Sequence, residues 1–192
     1  MSRLLCTLLL TLSIALPATA ATEQAIFAGG CFWCMESDYQ DLDGVIDVVS
    51  GFTGGELQNP TYKGNHEGHY EAVQVTYNPD VVSYQELLDH YWINIDPFDD
   101  RGQFCDKGFS YRAAIFVSGD EQRELADASH AAVVSRFPDQ QVVTQVLPAG
   151  RFWPVEEYHQ DYYLKNPVRY KYYRWNCGRD QRLEEIWGKT PD

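Results

Sequence analysis

Gly30, Cys31, Phe32, Trp33 and Cys34 follow one another and bring two thiols together at a C-x-x-C spacing. A cysteine attacks as its thiolate, and a helix N-terminus favours that form through unpaired N–H groups and the positive end of the helix dipole. Cys31 falls at such a place. Residues 24–28 read as a short apolar strand, Gly29 and Gly30 as a sharp turn, and residues 31–40 as a helix. The spacing predicts a reactive Cys31 with a lowered pKa, against the ordinary fate of a free cysteine as a buried apolar residue. Phe32 and Trp33 read either as core aromatics or as apolar walls beside the thiol, and periodicity leaves both open.

A second reactive group lies in an alternating segment. Over residues 70–77, Glu71 shares its parity with Val73, Val75 and Tyr77, while Ala72, Gln74 and Thr76 point the other way. A carboxyl turned inward holds its proton and can serve as a general acid. At a wet strand end the same residue would be an ordinary anion, so both readings stand. Asp106 lies in a loop over 102–110, ahead of a strand over 111–117 that begins with Tyr111, and Tyr62 lies in a loop between strands. Turn formation and surface packing are the plain readings of these residues. The five histidines, His66, His69, His90, His130 and His159, form no closed zinc spacing with the cysteines, so no metal is expected.

The elements that must position these groups follow in order. A strand over 45–52 and the strand over 70–77 come after the first helix, and Ser83 with Glu86 forms a capping box for a second helix. A long loop over 96–110 leads to the strand over 111–117. Ser118 with Glu121 opens a helix running towards Phe137, and residues 141–147 form a further strand. The β, α, β, β, α, β succession predicts an α+β fold, the ferredoxin-like plait (split βαβ), with an added helix and strand. Long C-terminal loops are expected after Leu147, with a short helix over 155–164 and another near 179–187.

Composition bounds the rest. Residues 1–20 read as a secretory signal peptide: Arg3, an apolar run over 4–16, and Ala18, Thr19, Ala20 as a cleavage signature. Residues 21–192 then form one exported domain, periplasmic or extracellular, and a soluble monomer is expected. Loss of Arg3 leaves 14 basic residues against 28 acidic, a net charge of −14, which disfavours nucleic acid and anionic lipid as partners. Cys6 leaves with the leader, so Cys31, Cys34, Cys105 and Cys177 remain. An even count in an exported chain suggests disulfides, but a C-x-x-C pair closes almost no loop, so redox chemistry is as good a reading as bracing.

Gly30, Cys31, Phe32, Trp33, Cys34, Met35, Glu36 resembles the active-site signature of the A-type peptide methionine sulfoxide reductases. Ser50 with Gly54 and Gly55, then Asn59, Pro60, Thr61, Tyr62, then Gly68, His69, Tyr70, Glu71 follow the family's order. So do Asp96 and Pro97, the run from Asp106 through Lys107 and Gly108 to Tyr111 and Arg112, and Tyr158, His159, Gln160, Asp161, Tyr162 and Tyr163. The resemblance implies that Cys31 attacks the sulfur of methionine S-sulfoxide while Glu71 protonates the departing oxygen. It further implies that Tyr62 and Tyr111 hydrogen-bond that oxygen, that Asp106 completes the polar side, and that Phe32 and Trp33 hold the methyl group. Cys31 would end as a sulfenic acid, with no metal or organic cofactor. The tail reads Trp175, Asn176, Cys177, Gly178, Arg179 where many members carry a glycine-rich end. Cys177 is therefore the first candidate to resolve the sulfenic acid, as part of a mobile tail, followed by Cys105, which would resolve it or relay the disulfide outward, and then Cys34. A thioredoxin-like protein outside the cytoplasm would supply the electrons.

Two rivals remain. A thioredoxin-like disulfide oxidoreductase shares the C-x-x-C, but it calls for a small residue or proline between the cysteines and a different strand order. A non-enzymatic binding domain would carry Cys31–Cys34 and Cys105–Cys177 as inert staples.

Overall fold

The computed structural model describes residues 21–188. The leader expected over 1–20 lies outside them. β1 (Glu23–Gly29), α1 (Phe32–Gln40), β2 (Val45–Thr53), β3 (Tyr70–Tyr77) and α2 (Tyr84–Ile93) come first, followed by a two-residue hairpin, β4 (Gly102–Gln103) and β5 (Asp106–Lys107). Next are β6 (Ala113–Val117), α3 (Gly119–Arg136), β7 (Gln145–Pro148) and β8 (Trp153–Pro154). α4 (Tyr162–Lys165), α5 (Pro167–Asn176) and α6 (Arg179–Trp187) end the described chain.

The large sheet has the order β7-β6-β1-β3-β2-β8. Its inner four strands, β6-β1-β3-β2, are antiparallel neighbours in the plait's order, with α1 and α2 as the crossovers. β7 extends one edge parallel to β6, and β8 pairs antiparallel with β2 at the other. The split-βαβ α+β expectation therefore stands, and the antiparallel order excludes the thioredoxin-like rival.

The helices cover one face of the sheet. Phe27, Val73, Val75, Tyr77 and Ile115 pack there against Met35, Tyr39, Leu87, Leu88 and Tyr91. A smaller layer, including Ile26, Ala28, Ala72 and Phe116, fills the opposite face beneath Leu147 and Phe152. The parity read in β3 holds: Glu71 lies on the helix-covered side, paired in register with Phe52, and is 1% exposed. Both halves of the Ser83–Glu86 capping box form.

Several local expectations are corrected. Ser118 precedes α3 but makes no side-chain cap; its N–H bonds the Gln122 side chain instead. β7 is shorter than the strand expected over 141–147. Tyr111 ends a 3-10 turn, Phe109–Tyr111, ahead of β6 rather than lying on it. The helix expected over 155–164 is broken into a 3-10 turn (Glu157–His159) and α4, because Asp161 adopts a left-handed conformation with φ 52°. The C-terminal region is not mainly loop: α6 has the bounds expected, whereas α5 was not anticipated.

The expected loop over 96–110 is tightly held. Buried Gln103 accepts the Asp96 N–H at 2.8 Å and returns a bond to the Asp96 carbonyl at 2.8 Å, which fixes the hairpin bearing Cys105 and Asp106. Gly30 has φ 85°, and a Cβ there would stand 2.6 Å from Gln103 Cβ. Glycine thus lets the chain turn into α1 while the hairpin packs directly against it.

The tail is pinned rather than mobile. The guanidinium of buried Arg179 donates to the carbonyls of Gly29 (3.2 Å) and Asn94 (2.7 Å), pairs with Asp38 and covers the Phe104 ring. Arg174 pairs with the same Asp38 at 2.6 Å. Leaving a buried partner of such a network unpaired costs about 3–5 kcal/mol, so α5 and α6 stay docked beside α1.

Candidate active site

Cys31 is the N-cap residue of α1, and its carbonyl receives the Cys34 and Met35 N–H groups. The next N–H, that of Phe32, donates to Glu71 Oε2 at 3.2 Å. One helix terminus therefore holds the thiol and the carboxyl side by side, the carboxyl taking an N–H that the helix cannot satisfy itself. Burial pushes Glu71 up to about 8, a rise that the Phe32 N–H and the nearby Tyr111 hydroxyl only partly oppose. Glu71 accordingly carries its proton at neutral pH, as a general acid must.

Cys31 departs from expectation in one respect. Burial, reinforced by the hydrogen-bonded Cys34 thiol and the adjacent Glu71, pushes its thiol up rather than down. Dehydration of the sulfur outweighs the helix terminus. The Tyr173 hydroxyl acts in the opposite direction: it stands within hydrogen-bonding reach of Cys31 and donates to Asp106.

Aromatic rings wall the thiol. Phe32 is fully buried and meets Phe52 edge-on at 5.9 Å, with the half-buried Tyr62 ring 6.1 Å away. Trp33 stacks on Tyr162 at 3.8 Å and donates its indole N–H to His159 Nδ1 at 3.0 Å. That bond needs an unprotonated Nδ1, in keeping with burial, which lowers the His159 pKa. His159, Tyr162 and Tyr173 also line the site, and sequence reasoning assigned none of them a role. Their signal was the aromatic density of the run beginning at Tyr158.

Gln160 holds the segment carrying His159 against β2, bonding the Ser50 N–H and carbonyl at 2.9 Å each. Glu36 anchors it from α1 by accepting the Asp161 N–H at 2.9 Å.

The polar groups gather on the other side. Tyr111 reaches Glu71, and the Tyr62 hydroxyl, pushed up to about 12 chiefly by burial, senses Glu71, Cys31 and Asp106. Raised phenol pKa values keep both hydroxyls protonated and able to donate. Asp106 is raised by burial as well. The site thus offers a thiol, a protonated carboxyl and two phenolic donors beside an aromatic wall.

The sequence profile of the peptide methionine sulfoxide reductase family matches residues 23–191. The chain belongs to this family. A peptide methionine sulfoxide reductase from Caulobacter vibrioides is 52% identical over 177 residues, covering 90% of each chain. Among solved structures, Mxr1 from Saccharomyces cerevisiae in reduced form superposes with a TM-score of 0.71 at 30% identity, over 78% of this chain and 88% of that one. The same yeast protein in complex with Trx2 gives a TM-score of 0.54 at 23% identity, covering 76% and 87%, and speaks for the fold.

Of the four cysteines, two are joined. Cys177, between α5 and α6, is joined to Cys105 on the β4–β5 hairpin, while Cys31 and Cys34 are free thiols. Of the two pairings in the staple reading, Cys105–Cys177 is formed and Cys31–Cys34 is not. Cys177 Sγ lies 4.0 Å from Asp106 Oδ2, the oxygen that accepts from Tyr173. Among the described residues, Cys105, Asp106 and Cys177 are the one close trio of metal-type ligands, and two of them are committed to the disulfide. His69 is structural: it receives the Gly55 N–H and bonds the Leu57 carbonyl.

Proposed function

We propose that this family member reduces methionine S-sulfoxide, free or in protein, to methionine by thiol chemistry, without metal or organic cofactor. One observation carries the reading: a cysteine at a helix start stands beside a carboxyl that burial keeps protonated up to about pH 8. Phe32 and Trp33 hold the methyl group, while Tyr62 and Tyr111 donate to the sulfoxide oxygen and Asp106 completes the polar side. Cys31 attacks sulfur as its thiolate, and Glu71 delivers its proton to the oxygen. The net step converts the sulfoxide and the Cys31 thiol into methionine and Cys31 sulfenic acid.

Regeneration proceeds in two exchanges. The Cys177 thiol displaces the sulfenic oxygen as water, forming a Cys31–Cys177 disulfide. The Cys105 thiol then attacks Cys177 and releases Cys31, leaving Cys105–Cys177 joined. Tyr173 and Asp106, standing between Cys31 and Cys177, support this order. Disulfide mapping after one turnover without reductant tests it. Wild type should yield Cys105–Cys177, and Cys105→Ser should trap Cys31–Cys177; a Cys31–Cys34 product would replace this route.

A thioredoxin-like protein then reduces Cys105–Cys177, as the yeast relative's complex with Trx2 suggests. We further propose that residues 1–20 act as an export leader, so that the enzyme works as a soluble monomer in the periplasm or outside the cell; the apolar run over 4–16 supports this. N-terminal sequencing of the exported protein should begin at Ala21; an intact Met1 start would refute export by this leader.

A further inference from the structure

Tyr170, Tyr173 and Cys177 fall on one face of α5 at spacings of three and four, and the Cys177 N–H closes the last turn on the Tyr173 carbonyl at 2.9 Å. Tyr170 is buried with Cys31 and Cys34, and Tyr173 packs against that cluster. Four groups then form a row. Cys177 Sγ lies 4.0 Å from Asp106 Oδ2, and the same oxygen accepts the Tyr173 hydroxyl. That hydroxyl is also within hydrogen-bonding reach of Cys31. The other carboxylate oxygen, Oδ1, is 3.9 Å from Cys105 Sγ. One carboxylate therefore stands against both sulfurs of the Cys105–Cys177 pair, and a single phenol separates it from the nucleophile.

Reduction of the sulfoxide draws its proton from Glu71 and gives Tyr173 no part. The two exchanges that remake Cys31 have a different need. Each begins with a thiol that must lose a proton and ends with an atom that must gain one. The losing thiol, Cys177 and then Cys105, lies at the Asp106 end of the row. The gaining atom, the sulfenic oxygen and then Cys31 Sγ, lies at the Tyr173 end.

We propose that Asp106 and Tyr173 form a proton relay for the regeneration of Cys31. In the first exchange Asp106 Oδ2 takes the Cys177 proton, and the thiolate attacks the Cys31 sulfur. The S–O bond breaks with its electron pair on oxygen, and that oxygen takes the Tyr173 proton and leaves as water. Tyr173 takes the proton from Asp106, so the row ends as it began. In the second exchange Oδ1 takes the Cys105 proton, Cys105 bonds to Cys177, and Cys31 leaves as a thiolate that the same phenol protonates. Burial pushes the Tyr173 phenol far up, which disfavours a free phenolate and makes the two transfers at its oxygen concerted. Burial also raises Asp106, against the pull of Arg179 and Lys107, and so makes its carboxylate a better base. The inference rests on the reading that Cys177 resolves Cys31.

The reduced protein is mixed with one equivalent of methionine S-sulfoxide and no reductant, then quenched at successive times with dimedone. Methionine release and loss of the Cys31 sulfenic acid are two rates from one turnover. Tyr173→Phe, which keeps the ring against Trp33, should slow the second rate relative to the first by about 10²-fold or more, so that Cys31 carries the adduct. Asp106→Asn should show a missing base: disulfide formation then follows the free Cys177 thiolate and quickens about tenfold per pH unit below its pKa, where wild type changes less. A merely structural lesion would lower the rate equally at every pH. Where a variant releases no methionine, hydrogen peroxide makes the Cys31 sulfenic acid directly, and the second rate is read from there. Sulfenic acid lost as fast in Tyr173→Phe as in wild type, or a wild-type pH profile in Asp106→Asn, overturns the relay. If Cys177→Ser loses its sulfenic acid as fast as wild type, the resolving role of Cys177 itself fails, a result distinct from these.

Discussion

Cys31→Ser lowers methionine formation from methionine sulfoxide to background, a loss on the order of 10⁴-fold or more, while the protein keeps its fold. A serine hydroxyl has the hydrogen-bonding capacity of the thiol but cannot become an anion beside a protonated carboxyl and a packed aromatic wall. Cys31 is the cysteine at the helix start, where the Phe32 N–H holds Glu71, whereas Cys34 lies a turn further into α1 and Cys105 and Cys177 lie on the β4–β5 hairpin and between α5 and α6. Cys34→Ser, by contrast, should retain methionine formation in a single turnover, because it removes only the thiol hydrogen-bonded to Cys31. Chromatographic assay of methionine checks both variants. Loss in Cys34→Ser with retention in Cys31→Ser would reverse the two roles.

Glu71→Gln should slow sulfoxide reduction by about 10²–10⁴-fold in a single turnover. Glutamine fills the same buried place on β3 and can still face the Phe32 N–H, but it has no proton to give the departing oxygen. Alkylation of Cys31 should be as fast or faster in this variant, because a neighbouring carboxyl that raises the thiol has gone. That separates a lost acid from a damaged nucleophile. The same residue sets a pH dependence of stability. Its folded pKa of about 8 lies above the ordinary value of 4.5, so the folded state binds more protons between those limits. Stability from this group is therefore fullest below pH 4.5, falls as pH rises through the window, and levels off above about 8. At pH 7 the cost is about 3 kcal/mol, and the difference between wild-type and Glu71→Gln denaturation curves should grow with pH across that range. A difference independent of pH would mean that Glu71 is an ordinary anion.

The plait was legible because its signals are local. Alternation in β3 placed Glu71 inward, Ser83 and Glu86 announced α2, and Gly29 with Gly30 marked the turn before α1. Ser118 shows the limit of such signals: a cap-like residue in the right place makes no side-chain cap. α5 escaped notice because it is held by tertiary contacts, Tyr170 turned inward and Arg174 on Asp38, and its outer face breaks the polar pattern of a surface helix. Of the site, Cys31, Glu71, Tyr62, Asp106, Tyr111, Phe32 and Trp33 could be singled out in the sequence, and they lie near one another in the fold. His159, Tyr162 and Tyr173 come from the C-terminal third, and no spacing rule links them to a thiol more than 120 residues earlier. The raised Cys31 pKa was likewise beyond reach, since helix position is readable in a sequence but the depth of burial is not.

The most direct test of the account uses a protein spanning residues 21–192 in which Cys34, Cys105 and Cys177 are all serine, leaving Cys31 as its one thiol. Incubated with methionine S-sulfoxide and no reductant, it should form one methionine per protein and a sulfenic acid at Cys31 that a dimedone adduct locates by mass spectrometry. A protein that yields no methionine, or carries no adduct at Cys31 after yielding it, would contradict attack by Cys31.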